Sequence, residues 1–229
     1  EGYNHVTSAQ WKLVNDGSIM GAQSFELVSP ILKGQDGLHQ LAIVCRVLAE
    51  QGAKVNKSCG VHVHHDASDL TLNTWKNFCK YYVKYEKTLD SLMPVSRRDN
   101  NNSFCASMLG DDGDVKARFA AIDRATDLQR LATIMCGQSR YYKLNLMAFW
   151  RHGTVEVRHH SGTIEYEKIA AWVELTQGLL EKSVWLEATS TVNRGPSVHG
   201  SDLNSVCVTA RIASQTTAYY RTRQLAMAA

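Results

Sequence analysis

Three short stretches of this chain each place polar or ionisable side chains on one face of an alternating pattern. Gly60-Val61-His62-Val63-His64-His65-Asp66 sends His62, His64 and Asp66 to one face and Val61 and Val63 to the other. Thr154-Val155-Glu156-Val157-Arg158-His159-His160 does the same with Glu156 and Arg158, while Phe25-Glu26-Leu27-Val28 sets Glu26 among apolar neighbours. A period of two is the signature of a β-strand. A charged strand face is costly to bury unless it lines a cleft, a metal or a water-filled funnel. Singly, each stretch has a plainer reading: an exposed edge for His-x-His, a cross-strand ion pair for Glu-x-Arg, a surface carboxylate for Glu26. Arg97 and Arg98 stand in a segment rich in Pro, Ser and Asn. Together the set offers carboxylate and imidazole for a divalent metal and guanidinium for phosphate. Phosphoryl transfer needs that equipment, with a metal on the polyphosphate and arginine taking up the moving charge. By alternation His159 points away from this face, and His160 is placed to extend it.

The positioning elements follow from local pattern. Strands are expected around Trp11–Val14 and Phe25–Val28, separated by the turn residues Asn15-Asp16-Gly17-Ser18. Leu38, Leu41, Cys45 and Leu48 then share a helical face, with Gly52 as its C-terminal cap. A helix from about 71 to 92 carries Trp75, Phe78, Cys79, Tyr82 and Leu89 inward, capped by Ser68 or Asp69 and ended by Pro94. Tyr81, Tyr85, Lys80, Lys84 and Lys87 read as its solvated flank.

The polar stretch 95–113 reads as a long functional loop, a candidate lid. Asp111-Asp112-Gly113-Asp114 superficially resembles a calcium loop but reads as a turn with Asp114 capping a helix that holds Val115, Phe119, Ile122, Leu131 and Ile134. Strands 144–150 and 154–160 follow, joined at Arg151-His152-Gly153, and then a helix over 165–187. Residues 189–205 read as linker, ahead of a short terminal helix whose Arg211, Arg221 and Arg223 face solvent. Short turns between strands favour α+β with a largely antiparallel sheet.

With 229 residues, 44% of them apolar and 21% charged, the chain suits one substantial globular domain over 1–188 with a tail over 189–229. A net charge of +3 argues neither for nor against nucleic acid, and no basic surface for it is expected. No apolar run approaches the roughly 20 residues that span a bilayer, so no membrane partner is expected. Six scattered cysteines without paired spacing read as free thiols in a reducing cytoplasm.

The combination of motifs resembles one family. Trp11-Lys-x3-Asp16-Gly-Ser-Ile, Glu26-Leu-Val-Ser-Pro-Ile-Leu-x-Gly34 and Cys59-Gly-Val-His62-Val-His64 are followed in order by three more. These are Ser96-Arg97-Arg98-x-Asn100, Lys143-Leu-Asn145-Leu and Gly153-Thr-Val-Glu156-Val-Arg158-x2-Ser-Gly-Thr163. Over about residues 3–185 this order is similar to the amidoligases, relatives of glutamine synthetase and glutamate–cysteine ligase. The resemblance implies a curved antiparallel sheet forming a funnel with helices on its outer face. It implies an ATP-dependent carboxylate–amine ligase working through an acyl phosphate, with ATP and Mg2+ as cofactors. Glu26, His62 and Glu156 would be magnesium ligands, and His64 would lie near the nucleotide phosphates. Arg158 would contact transferred phosphate or substrate carboxylate, Arg97 and Arg98 the nucleotide or acyl phosphate. Asn145 and Asp16 occupy family positions of looser role. The partners implied are a small-molecule or peptide carboxylate and an amine donor, with a homo-oligomer allowed.

Family members usually open with a strand carrying Glu-x-Glu. None precedes Tyr3, so the expectation is either a strand lying upstream or a trimmed relative. Two other readings stand beside the ligase: a catalytically inactive ligase-like module, and a zinc hydrolase built on His62, His64 and Glu156.

Overall fold

The computed structural model describes residues 7–21, 24–110, 113–137, 139–189 and 195–228. The chain divides into two compact units, Glu1–Val61 with Gly162–Ala170, and His62–Ser161 with Ala171–Ala229. Helices and small separate sheets make it α+β.

In the first unit, β1 (Lys12–Val14) pairs antiparallel with β2 (Glu26–Val28), with Leu13 opposite Leu27 and Val14 opposite Glu26. The expected turn begins as an Asp16 motif, its Oδ1 accepting from the Ser18 amide at 2.8 Å and hydroxyl at 2.7 Å. Helix α1 (Gly34–Glu50) follows and buries Cys45. Further along, the Gly162 amide donates to the Cys59 carbonyl at 2.9 Å. A Cβ at Gly162 would lie 2.4 Å from Cys59 Cβ, so only glycine allows this approach.

Strand β3 (Gly60–Asp66) leads into the second unit, where it lies beside β5 (Thr154–Ser161). On the other side of β5 lies β4 (Leu144–Asn145), antiparallel, with Leu144 opposite Val157 and Asn145 opposite Glu156. The sheets of the described residues thus have two and three strands and stay open.

Helix α2 (Leu72–Asp90) is capped by Thr71, whose hydroxyl accepts from the Thr74 amide, and not by Ser68 or Asp69. Asp66 takes the Ser68 amide and hydroxyl instead. The helix is buried nearly all round. Trp75, Phe78 and Tyr82 are core as expected, but Lys80, Tyr81 and Tyr85, expected in solvent, are buried as well. The cause is tertiary: Lys80 is paired with Asp123, and the Tyr85 hydroxyl meets Thr209 at 2.7 Å. Where one helix was expected after Asp114 there are two, α3 (Val115–Asp123) and α4 (Leu128–Cys136). Asp127 interrupts, because its carboxylate caps the Arg130 amide at 2.7 Å. Asp114 caps α3 as expected, while Asp111 and Asp112 lie outside the described residues.

The strand expected over 144–150 stops after Asn145. Its side-chain oxygen accepts from the Met147 amide at 2.9 Å, turning the chain into a 3-10 turn (Leu146–Ala148) and α5 (Phe149–His152). Gly153, at φ 67°, reverses it into β5.

Helix α6 (Tyr166–Thr189) packs against α7 (Leu203–Ala210) so closely that a Cβ on Gly178 would sit 2.1 Å from the Ala210 carbonyl oxygen. Residues 190–194 of the expected linker lie outside the described residues, and the tail holds α7 and α8 (Ser214–Ala228) where one helix was expected. The Glu174 carboxylate holds the start of α8, accepting from the Ala213 amide at 2.7 Å and the Thr216 hydroxyl at 2.6 Å. The core of this unit draws Trp75, Phe78, Val155, Val157, Trp172, Val206 and Tyr220 from five elements. None of the six cysteines is joined in a disulfide, and no described helix is long and apolar enough to cross a membrane.

Candidate active site

Alternation along β5 divides its side chains as the sequence requires. Glu156 and Arg158 go to one side, and Val155, Val157 and His159 to the other. Glu156 is the centre of the first set. Its Oε1 lies 2.6 Å from Arg158 NH1, 3.4 Å from His62 Nδ1 and 3.8 Å from His64 Nε2. Its Oε2 accepts from the Asn145 side-chain amide at 2.6 Å. Arg158 NH1 also points at His62 Nδ1, at 3.4 Å, and Arg158 Nε faces the Phe104 carbonyl at 3.5 Å. The carboxylate and guanidinium are recessed, with 7% and 10% of their side chains exposed, whereas His62 and His64 keep 28% and 40%. The imidazoles are thus the more exposed part of the cluster and the ion pair the more recessed.

The electrostatics follow from this packing. Burial, and next the Arg158 guanidinium, push His62 down to about 3. Burial also lowers His64, with Glu156 opposing and His152 and Arg158 adding to the shift. Both rings are accordingly neutral at pH 7. Burial is the largest single influence on Glu156 and would raise it, but Arg158, the imidazoles and the Asn145 amide together outweigh it and hold the carboxyl below the ordinary range. Arg97, 4% exposed, donates to the Arg158 carbonyl at 3.4 Å. Glu156, Arg158 and Arg97 together leave an excess of one positive charge, and the cluster favours an anion.

Four of the expected site residues, His62, His64, Glu156 and Arg158, thus converge in one unit, with Arg97 behind Arg158. Asn145 joins them, with both ends of its amide used, on Glu156 and on the Met147 backbone. Arg98 is turned elsewhere. Its Nε donates to the Met93 carbonyl at 2.8 Å and NH2 to the Met227 carbonyl at 2.7 Å, so it ties the end of α8 to the end of α2. Glu26 belongs to the first unit, half-buried on β2. His159 is wholly buried behind β5, and the His160 ring is fixed by the Ser161 carbonyl at 2.7 Å.

Among the described residues no group of three or more His, Cys, Asp and Glu side chains is arranged to hold a metal ion. The donor chemistry gives a reason. Magnesium prefers oxygen, and both oxygens of Glu156 are engaged, one by a guanidinium standing where a cation would approach. His62 and Glu156, two of the expected ligands, both stand against Arg158.

Three contributors have only weak sequence signals. Thr154 accepts or donates at His64 Nδ1, 2.8 Å away, and its position two residues before Glu156 would have shown it. The His152 ring stands edge-on to His64 at 5.6 Å between centroids. Tyr141 lies with its ring centroid 5.8 Å from Arg158 Cζ, and nothing in its local pattern marks it.

A second charged network lies on the other side of β5. Lys143, with no exposed surface, reaches Glu86 at 2.8 Å and Asp90 at 2.6 Å. Asp90 also meets His159 Nε2 at 2.6 Å, and His159 Nδ1 meets the Tyr82 hydroxyl at 3.0 Å. The backbone connects the two sides, since the Arg158 amide donates to the Lys143 carbonyl at 2.8 Å.

Neither the curated proteins nor the solved structures gave a match. A family model described as "Putative amidoligase enzyme" matches residues 2–180, which include every member of the cluster around Glu156. Coverage of that extent places the chain in the amidoligase family.

Proposed function

We propose that this amidoligase joins a carboxylate to an amine at the expense of ATP, releasing ADP and phosphate by way of an acyl phosphate. The observation that carries the reading is the recessed Glu156–Arg158 pair, faced by two neutral imidazoles and carrying surplus positive charge. Arg158 is placed to take a carboxylate or phosphoryl oxygen, and Glu156 holds the guanidinium by its NH1 while Asn145 holds Glu156. Neutral His62 and His64 can hydrogen-bond the incoming groups without adding charge. As negative charge builds on phosphoryl oxygens, a guanidinium already fixed by Glu156 stabilises it without reorganising. Magnesium enters this reading with the nucleotide, as its counter-ion, since the described residues offer it no cage. The carboxylate is a small molecule or peptide, the setting is cytoplasmic, and the glutamine-synthetase-like funnel remains part of the proposal.

The test is ADP release from Mg·ATP in the presence of a mixture of amino acids, comparing wild type with Glu156→Gln. Glutamine keeps the shape and, with its oxygen toward Arg158, that contact, while it gives up the Asn145 bond and removes the charge; turnover should fall at least ~100-fold, as when a preorganised charge partner is lost. Undiminished turnover in the variant would remove Glu156 from the reaction. Nucleotide binding without any ADP release would favour a ligase-like binding module.

A further inference from the structure

Segment 99–108 runs past Arg158 and is pinned at both ends by carboxylates of α2. At one end the Asp99 amide donates to Asp90 Oδ2 at 2.9 Å, at the other the Met108 amide donates to Glu86 Oε2 at 2.9 Å. Asp99 is held at φ 47°, in the left-handed region that costs a non-glycine residue energy. Lys143 balances both carboxylates from a fully buried position. Within the segment, Asn100 accepts from the Ser107 amide at 2.8 Å, and Ala106 donates to the Tyr141 carbonyl at 2.9 Å. Residues 105–109 are mostly buried. This part of the expected lid is thus a strap anchored at both ends.

This strap presents one large apolar side chain to solvent. Phe104 is 45% exposed although its own carbonyl faces Arg158. Its ring stands at 88° to Tyr141, with centroids 5.2 Å apart, and the Tyr141 ring in turn lies against the guanidiniums of Arg158 and Arg140. A strained, multiply anchored backbone holding an exposed aromatic ring beside a recessed guanidinium is how a preorganised ligand clamp is built.

We infer that Phe104 and Tyr141 form a stacking corner for the carboxylate substrate, which carries an aromatic ring one or two bonds from the carboxyl group that Arg158 receives. Tyr141 touches the very guanidinium that takes the anion, so a ring on a short tether reaches the corner. A purine is separated from its phosphates by a ribose and fits that spacing less well. This inference rests on the reading of Arg158 as an anion-binding group.

Calorimetric titration of the full chain with phenylacetate, cyclohexylacetate and acetate tests it. The first two share length and bulk, and only one has a flat π-face. Phenylacetate should bind about tenfold more tightly than cyclohexylacetate, the gain expected of one aromatic pair. Phe104→Ala, a change at an exposed side chain, should erase that difference while leaving acetate unaltered. Arg158→Gln should weaken all three. Equal affinity for the two ring acids, no binding of any of the three, or selectivity that survives Phe104→Ala would each overturn the inference. So would a Phe104→Ala variant that weakens ATP and spares phenylacetate, since the corner would then hold the purine. The ligase reading is judged separately, by ADP release. Ring selectivity without ADP release leaves the corner standing and refutes the ligase, whereas ADP release without ring selectivity does the reverse.

Discussion

Glu156 shows how much one carboxylate can organise. It receives Arg158 on one oxygen and Asn145 on the other, and two imidazoles stand within 4 Å of the first. Removing a partner of such a buried pair leaves the remaining charge uncompensated. Alanine at Glu156 would therefore confuse loss of function with loss of fold, which is why glutamine is the better probe. Asn145→Ala should act differently. It strips Oε2 of its donor and the Met147 turn of its cap, so the expected loss is about 1–3 kcal/mol of stability along with weakened anion binding. Chemical denaturation and phosphate titration would measure the two effects, and an unchanged denaturation midpoint would show the Asn145 bonds to be dispensable. A second consequence at this scale concerns pH. Burial holds His62 near 3, His65 near 4 and His160 near 3. Unfolding returns each to an ordinary value of about 6.5. Between those values the unfolded chain binds more protons, so stability is full above about pH 6.5 and falls as the pH drops toward 4. Melting temperatures recorded from pH 7.5 to 4 should decline steadily. His65→Gln, which can keep a hydrogen bond to Thr176, should flatten part of the slope.

Among the elements, β5 is the one on which both charged sets depend. One face carries Glu156 and Arg158, and the other carries His159 into the Asp90–Lys143–Glu86 network. Lys143 sits between two carboxylates with no access to water. Lys143→Met should cost about 3–5 kcal/mol, because two buried negative charges lose their counter-charge. Adding Glu86→Gln and Asp90→Asn should restore part of that loss if charge is the cause. A triple variant no more stable than the single one would point to packing of the lysine stem instead. Helix packing makes a separate prediction. Gly178 lets α6 meet the Ala210 carbonyl where no Cβ fits. Gly178→Ala should destabilise by about 1–3 kcal/mol despite its better helix propensity, since the obstruction is backbone and cannot swing aside. Urea unfolding would measure it.

At the scale of the molecule, the family match ends at residue 180, yet the second unit does not. Leu203, Val206, Cys207 and Tyr220 are core residues, and Arg98 and Arg223 tie the carbonyls of Met227 and Leu92 across the α8–α2 contact. A chain ending before Asp202 should expose this surface, melt at a markedly lower temperature and aggregate. Circular dichroism on the truncated protein would check it, and an unaltered transition would make the tail an appendage after all.

Where chemistry depends on local repetition, the sequence alone was enough. A period of two needs only the strand backbone, so His62, His64, Glu156 and Arg158 could be placed on shared faces, and His159 on the opposite one, without coordinates. The caps at Asp114 and the Asp16 turn were equally local. Arg97 and Arg98 are neighbours of one residue type, and no local rule separates them. Their fates diverge because one guanidinium meets the Arg158 carbonyl and the other a carbonyl 129 residues away. The burial of Lys80 and Tyr85 was hidden for the same reason, since their partners come from α3 and α7. The anchoring of the strap beside Arg158 was hidden too, because the carboxylates that accept its amides come from α2. Burial, and with it every shifted pKa, is a property of what packs against a residue, and the tertiary structure alone decides that.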